Sequence, residues 1–98
     1  MTMREWKFAD SPSAVVYTTR RVVERMDWIA YAFHDADDGA WQFHGSSTEA
    51  KESDAMVIRL ESALDLDDSL SELADLPLGW RAWRKSKDSE WQRAPSEA

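Results

Sequence analysis

The stretch WIAYAFHDADDGAWQFH, residues 28–44, decides the fold. It reads as two strands, 28–35 and 40–44, joined by the turn residues Ala36, Asp37, Asp38 and Gly39. The flanks are apolar and aromatic, and Asp-Gly is a favoured pair for reversing the chain. A four-residue turn sets His34 opposite Trp41, Ala32 opposite Phe43 and Tyr31 opposite His44, so that small alanines face large rings and one sheet face fills evenly. The other face carries Ile29, Tyr31 and Phe33. Strand 28–35 is therefore apolar on both sides, which predicts a central strand covered on both faces.

Working outward, AVVYTT at 14–19 is rich in β-branched and aromatic residues and predicts a strand, while RRVVERM at 20–26 allows a helical turn. Residues 1–13 end in the breakers DSPS and read as a flexible N-terminal arm, with Trp6 and Phe8 docked on the body. Downstream, GSSTEAKES at 45–53 is a polar loop. Met56, Ile58 and Leu60 alternate as in a strand, yet Met56, Leu60, Ala63 and Leu64 also match a helix face; a strand giving way to a helical turn is the favoured reading. Ser69 and Glu72 have the S-x-x-E spacing of a capping box, Leu70, Leu73 and Ala74 form an apolar face and Pro77 is a stop, so a short helix is predicted over 69–75. WRAWRK and EWQR suggest a final hairpin around SKDS, with residues 94–98 frayed. The sum is one α+β domain over 14–93: a mainly antiparallel sheet of about five strands, with one or two short helices packed on one face.

Composition agrees with one small core. A chain of 98 residues leaves no room for a second domain, and with 43% hydrophobic and 32% charged residues it is too apolar for disorder and too interrupted by charge to span a membrane. Six tryptophans supply the large apolar area that so short a chain needs for a core. The start lacks the apolar segment of a secretory signal, which makes the cytoplasm the expected location. With no cysteine, disulfides and thiolate metal sites are excluded. The formal charge of −7 argues against nucleic acid as a partner, since phosphate contacts need clustered cations. Residues 34–75 hold twelve acids against Lys51 and Arg59, a net of −10, and cations gather at both ends. Such a field steers a basic protein partner, although it also serves simply as a solvated surface.

Chemistry-bearing residues are sparse. His34 with Asp35, Asp37 and Asp38 is the one cluster resembling a metal or acid–base site, and a small metal-dependent hydrolase centred on His34 and Asp35 is the alternative function. The only other histidine, His44, lies three pairs away in the hairpin and points to the opposite face, so the two cannot share an ion. The aspartates and Gly39 serve equally as turn formers, with His34 packed on Trp41. Read as a calcium loop from Asp35, the segment has Ser46 where the bidentate glutamate belongs. Ser46, Ser47 and Thr48 lie in no nucleophile elbow, and Gly39, Gly45 and Gly79 are isolated, so no phosphate cradle forms. No catalytic group, metal or cofactor is implied. Trp80, Arg81 and Trp83 are better candidates, because Trp and Arg dominate the energetic centres of interfaces. Alternation on a strand puts Trp80, Ala82 and Arg84 on one face and Arg81 with Trp83 on the other. Core packing and cation–π pairing are the structural alternatives for these rings. The candidate protein-contact set is thus Asp35, Asp37, Asp38, Trp80, Arg81 and Trp83, with a homodimer burying the tryptophans as a further option.

The opening strand with Thr18, Thr19 and Arg20, the H-D-x-D-D-G-x-W-Q-F hairpin and the D-x-S-L-x-E-L-A-D-L-P-x-G-W-x-A-x-R run at 67–84 together resemble a family of small bacterial domains of unknown function. That family in turn resembles immunity proteins of polymorphic toxin systems. The likeness spans most of residues 14–84. It implies a non-enzymatic, acidic inhibitor that blocks a basic toxin through charge and aromatic anchors. Arg25, Met26 and Asp27 depart from the pattern, standing where a glycine-bearing turn is expected before the second strand.

Overall fold

A computed structural model describes residues 5–47 and 52–96. In chain order it contains β1 (Val15–Thr19), α1 (Arg20–Val23), β2 (Ile29–His34), β3 (Trp41–Gly45), β4 (Ala55–Arg59), α2 (Leu60–Leu66), β5 (Trp80–Trp83) and β6 (Gln92–Pro95). Short 3₁₀ helices occupy Glu52–Asp54 and Asp68–Leu73. The strands form one sheet in the order β4-β1-β3-β2-β5-β6. The α+β class expected from the sequence is what the chain adopts, with six strands rather than about five.

The β2–β3 hairpin keeps the expected register, pairing His34 with Trp41, Ala32 with Phe43 and Tyr31 with His44. The sheet is mixed, however, because β1 lies beside β3 and runs parallel to it, through Tyr17 and Gln42. β2 pairs with β3 on one side and β5 on the other, so the first two strands in sequence are not neighbours. The switch from strand to helix within 55–64 also occurs, with β4 ending at Arg59 and α2 starting at Leu60. Thr19 ends β1 and caps α1, its Oγ1 accepting from the Val22 amide at 3.3 Å.

One face of the sheet holds the core. Val16, Ala32, Trp41, Phe43 and Ala82 pack beneath Leu60 and Leu64 of α2 and beneath Leu70 and Leu73 of the 3₁₀ helix. Phe8 closes this core at the N-terminal end, edge-on to Trp41 with centroids 5.3 Å apart, and Trp6 tilts onto Phe8 at 5.7 Å. The indole N–H groups of Trp6 and Trp41 both end on Asp10, at its carbonyl and carboxylate respectively. At the other end of the chain, β6 pairing continues to Pro95.

Two expectations need correction. The short helix predicted over 69–75 is present as the 3₁₀ helix Asp68–Leu73, but its cap is Asp67 rather than Ser69. A carboxylate two residues earlier outcompetes the Ser69 hydroxyl: Asp67 Oδ1 accepts from the Ser69 amide at 3.0 Å and from Ser69 Oγ at 2.7 Å. Second, β2 is central but covered on only one face. The register shifts between Ile29 and Tyr31, which lets Ile29 and Ala30 both be buried, and beyond that bulge Tyr31 stands 43% exposed. The described helix residues Leu60, Leu64, Leu70 and Leu73 join the core on the other face.

Arg84 ties the layers together. Its Nε donates to the Ile29 carbonyl at 2.9 Å, and Nη1 donates to Ser69 Oγ at 2.9 Å and to the Lys87 carbonyl at 3.0 Å. Nη2 pairs with the Asp67 carboxylate. The guanidinium lies 4.2 Å from the Trp91 ring centroid and 5.8 Å from that of Trp28. A buried charge is tolerated only when its donors are used in this way.

Candidate functional site

No described element crosses the second face of the sheet. Strand pairing lays a row across it from Val57 through Tyr17, Gln42, Phe33 and Arg81 to Ala94. A neighbouring row runs from His44 through Tyr31 and Trp83 to Gln92. Val15 at 55%, Tyr17 at 44% and Val57 at 57% exposure show how open this surface is. Val, Tyr, Phe and Trp are the residues that strands favour, so the same choice that makes the sheet also makes its free face sticky.

Polar side chains thread the rings. Gln42 Nε2 donates to Asp35 Oδ2 at 2.7 Å, and Gln42 Oε1 lies 2.9 Å from His44 Nε2. With the Gln42 oxygen accepting, His44 donates a proton from Nε2. Burial pushes the His44 pKa below the usual imidazole value, against a smaller opposing pull from the Asp35 charge. The Phe33 ring meets His44 edge-on at 5.8 Å. Arg81 lies over Trp83, 5.3 Å from its centroid, and beside them Trp83, Lys85, Glu90 and Gln92 border an open hollow of about 600 Å³.

The predicted contact residues do not form one patch. Arg81 and Trp83 share the open face, and the Asp35 carboxylate reaches its edge through Gln42. Trp80 faces the other way and packs against the core. Asp37 and Asp38 are exposed in the β2–β3 turn. Asp38 Oδ1 accepts from the Ala40 amide at 2.9 Å, the Gly39 amide donates to the Asp35 carbonyl at 3.0 Å and Gly39 takes φ 74°, so this turn uses its residues for conformation. The expected alternation of β5 holds, since Trp80, Ala82 and Arg84 face the core side.

His34 and Asp35 diverge as neighbours on a strand must. The His34 ring stacks on Trp41 at 3.9 Å and 10°, with Nδ1 at 2.7 Å from the Leu76 carbonyl, while Asp35 turns to the open face. Among the described residues no group of three or more His, Asp or Glu side chains is placed to hold a metal ion. Nor is any described helix long and apolar enough to cross a membrane.

Sequence reasoning missed Tyr17, Tyr31, Gln42, His44 and Val57 as surface candidates. The signal was present in the two-sided apolar pattern of β2 and in the alternation Val15, Tyr17. The β2 pattern reads as burial on both faces, because sequence alone does not count the elements available to cover a second face. Set against protein-family models, curated proteins and solved structures, the chain matches none.

Proposed function

We propose that the chain is a non-enzymatic protein-binding module that docks a basic partner, with the partner's apolar contact on the open sheet face and its cations on the acidic β2–β3 turn. The observation that carries this reading is the exposure of Val15, Tyr17, Tyr31 and Val57 on one continuous face. Single exposed apolar residues are ordinary, whereas a contiguous aromatic face marks an interaction site. Tyrosine and tryptophan give large contact area at low entropic cost, and Arg81 lying on Trp83 offers one amphipathic surface. The net charge of −7 steers a basic protein towards the module; Asp35 reaches the edge of the face through Gln42, and Asp37 and Asp38 are exposed in the turn that follows it. Immunity-type inhibition is the form of this reading in which the basic partner is a toxin.

The hydrolase alternative has less behind it, because His34 and Asp35 point to opposite sides of the sheet. The test is affinity capture from native lysate with the parent chain, with Tyr31→Lys and with the Asp37→Lys, Asp38→Lys pair, repeated with the purified captured protein. Support is a basic protein bound by the parent in purified form and lost from both variants at unchanged melting temperature. Binding that ignores the variants overturns the reading. So does a concentration-dependent mass of the purified chain that Tyr31→Lys abolishes, which assigns the face to a second copy.

A further inference from the structure

A cleft of about 280 Å³ opens where α1 turns into β2. Val22, Trp28, Ile29 and Leu66 give it an apolar lining, and Arg25 and Lys87 stand at its exposed rim. Two carboxylates also border it, and both are engaged elsewhere. Asp67 pairs with Arg84 and caps Ser69. Asp27 Oδ1 accepts from Ser46 Oγ at 2.7 Å and Oδ2 from the Ser47 amide at 3.0 Å. Burial alone would raise the Asp27 pKa, but these hydrogen bonds outweigh it and hold the group ionised below its ordinary range. Arg25 and Lys87, by contrast, have no ion pair and no side-chain hydrogen bond among the described residues. The charges left for a ligand are positive, on a chain whose net charge is −7.

The backbone singles out Arg25 independently. The Arg25 amide donates to the Val22 carbonyl at 3.0 Å and the Met26 amide to the Arg21 carbonyl at 2.8 Å, the paired bonds of a Schellman helix end. The residue at the centre of that motif must be left-handed, and Arg25 has φ 60°. Glycine is the residue the position favours, and here an arginine stands there and lines the cleft. Left-handed strain in a non-glycine residue persists where the side chain is in use.

We propose that this cleft binds a small organic anion, an aromatic carboxylate whose ring lies against Trp28 and whose charge meets Arg25 and Lys87. The site shares no residue with the open sheet face, so it stands or falls apart from the protein-contact reading. A volume of about 280 Å³ suits a ligand of one ring and a short acid arm. The cations give it orientation, and the apolar side chains Val22, Trp28, Ile29 and Leu66 exclude water from one side of the ring.

Phenylacetate is the probe, with phenylacetamide as its neutral counterpart, followed by tryptophan fluorescence and by backbone amide shifts. Saturable shifts are expected at residues lining the cleft, with phenylacetamide binding about tenfold more weakly, as the loss of a charge-assisted hydrogen bond requires. Lys87→Gln should weaken phenylacetate by a similar factor without altering the fold. Arg25→Gly should weaken it as well while raising the melting temperature, a pairing that a purely structural arginine would not produce. The proposal is overturned if phenylacetamide binds as tightly, if both variants bind like the parent, or if about 10 mM phenylacetate, well above a millimolar Kd, produces no saturation.

Discussion

Replacing Arg84 with methionine tests whether the core is organised around one buried cation. Methionine keeps an unbranched apolar side chain beside Trp28 and Trp91, over whose rings the guanidinium lies, but removes every donor, leaving the Ile29 carbonyl and the Asp67 carboxylate without their partner. The Asp67 side chain is only 13% exposed, so water repays little of that loss. Removing one member of a buried pair costs about 3–5 kcal/mol, a fifth or more of the roughly 5–15 kcal/mol that holds a domain of this size together. At about 4–8 °C per kcal/mol for a small domain, the melting temperature should fall by more than about 10 °C. The double variant Arg84→Met, Asp67→Asn separates the charge effect from packing. Asparagine keeps an oxygen for the Ser69 amide cap but leaves no orphan charge, so more than half of the lost stability should return. Urea unfolding followed by tryptophan fluorescence reads both. A single variant that costs less than about 1 kcal/mol, or a double variant no better than the single, refutes the claim that the charge pair governs the cost.

Three further outcomes follow from particular contacts. Thr18 is 3% exposed with a hydroxyl that has no hydrogen-bond partner among the described residues, so Thr18→Val should raise the urea midpoint by an equivalent of about 1 kcal/mol; an unchanged or lower midpoint would show the hydroxyl to be satisfied. A Cβ at Gly45 would collide with the Asp27 carboxylate, so Gly45→Ala should cost about 1–3 kcal/mol and break the tie to Ser46 and Ser47, visible as lost protection of the Ser47 amide in hydrogen exchange. His44 has its folded pKa depressed by burial below the ordinary 6.5, so the unfolded chain binds the proton more readily. Its contribution to stability is present above pH 6.5 and is lost as pH falls below that value, and His44→Gln should flatten that part of the stability profile measured at fixed salt.

The parts of the fold that were legible are those fixed by short-range rules. Turn chemistry at Asp38 and Gly39 sets the hairpin register, and pairing follows residue by residue from it. The strand-to-helix change at Arg59 and Leu60 was legible because the apolar period changes there. What escaped depends on partners distant in sequence. Ser69 has the spacing of a cap, yet Arg84 and Trp91 claim its hydroxyl and Asp67 takes its amide. The placement of β1 beside β3 rests on chain crossing that no local pattern encodes. Arg25 marks the opposite case, in which the expected glycine conformation is present without the glycine.

An uncovered aromatic face ordinarily invites indiscriminate association, and the arrangement of side chains here works against that. Gln42 stands between Tyr17 and Phe33 in their row, and its amide bonds to Asp35 and His44 at its two ends, so the apolar surface is divided by a polar seam held in place within the face. Arg81 covers part of Trp83. At the sheet edges, Pro95 closes β6 without an amide to offer, and Arg59 ends β4 with its side chain in solvent. The rings are thereby held apart at fixed places by groups that gain nothing from regrouping. A surface meant only to stay soluble would replace the rings with charge; one meant only to be buried would lose the seam. On the proposed protein-binding reading, keeping both would favour a partner whose own apolar and polar groups alternate in the same order, which is the requirement of a selective contact rather than a general one.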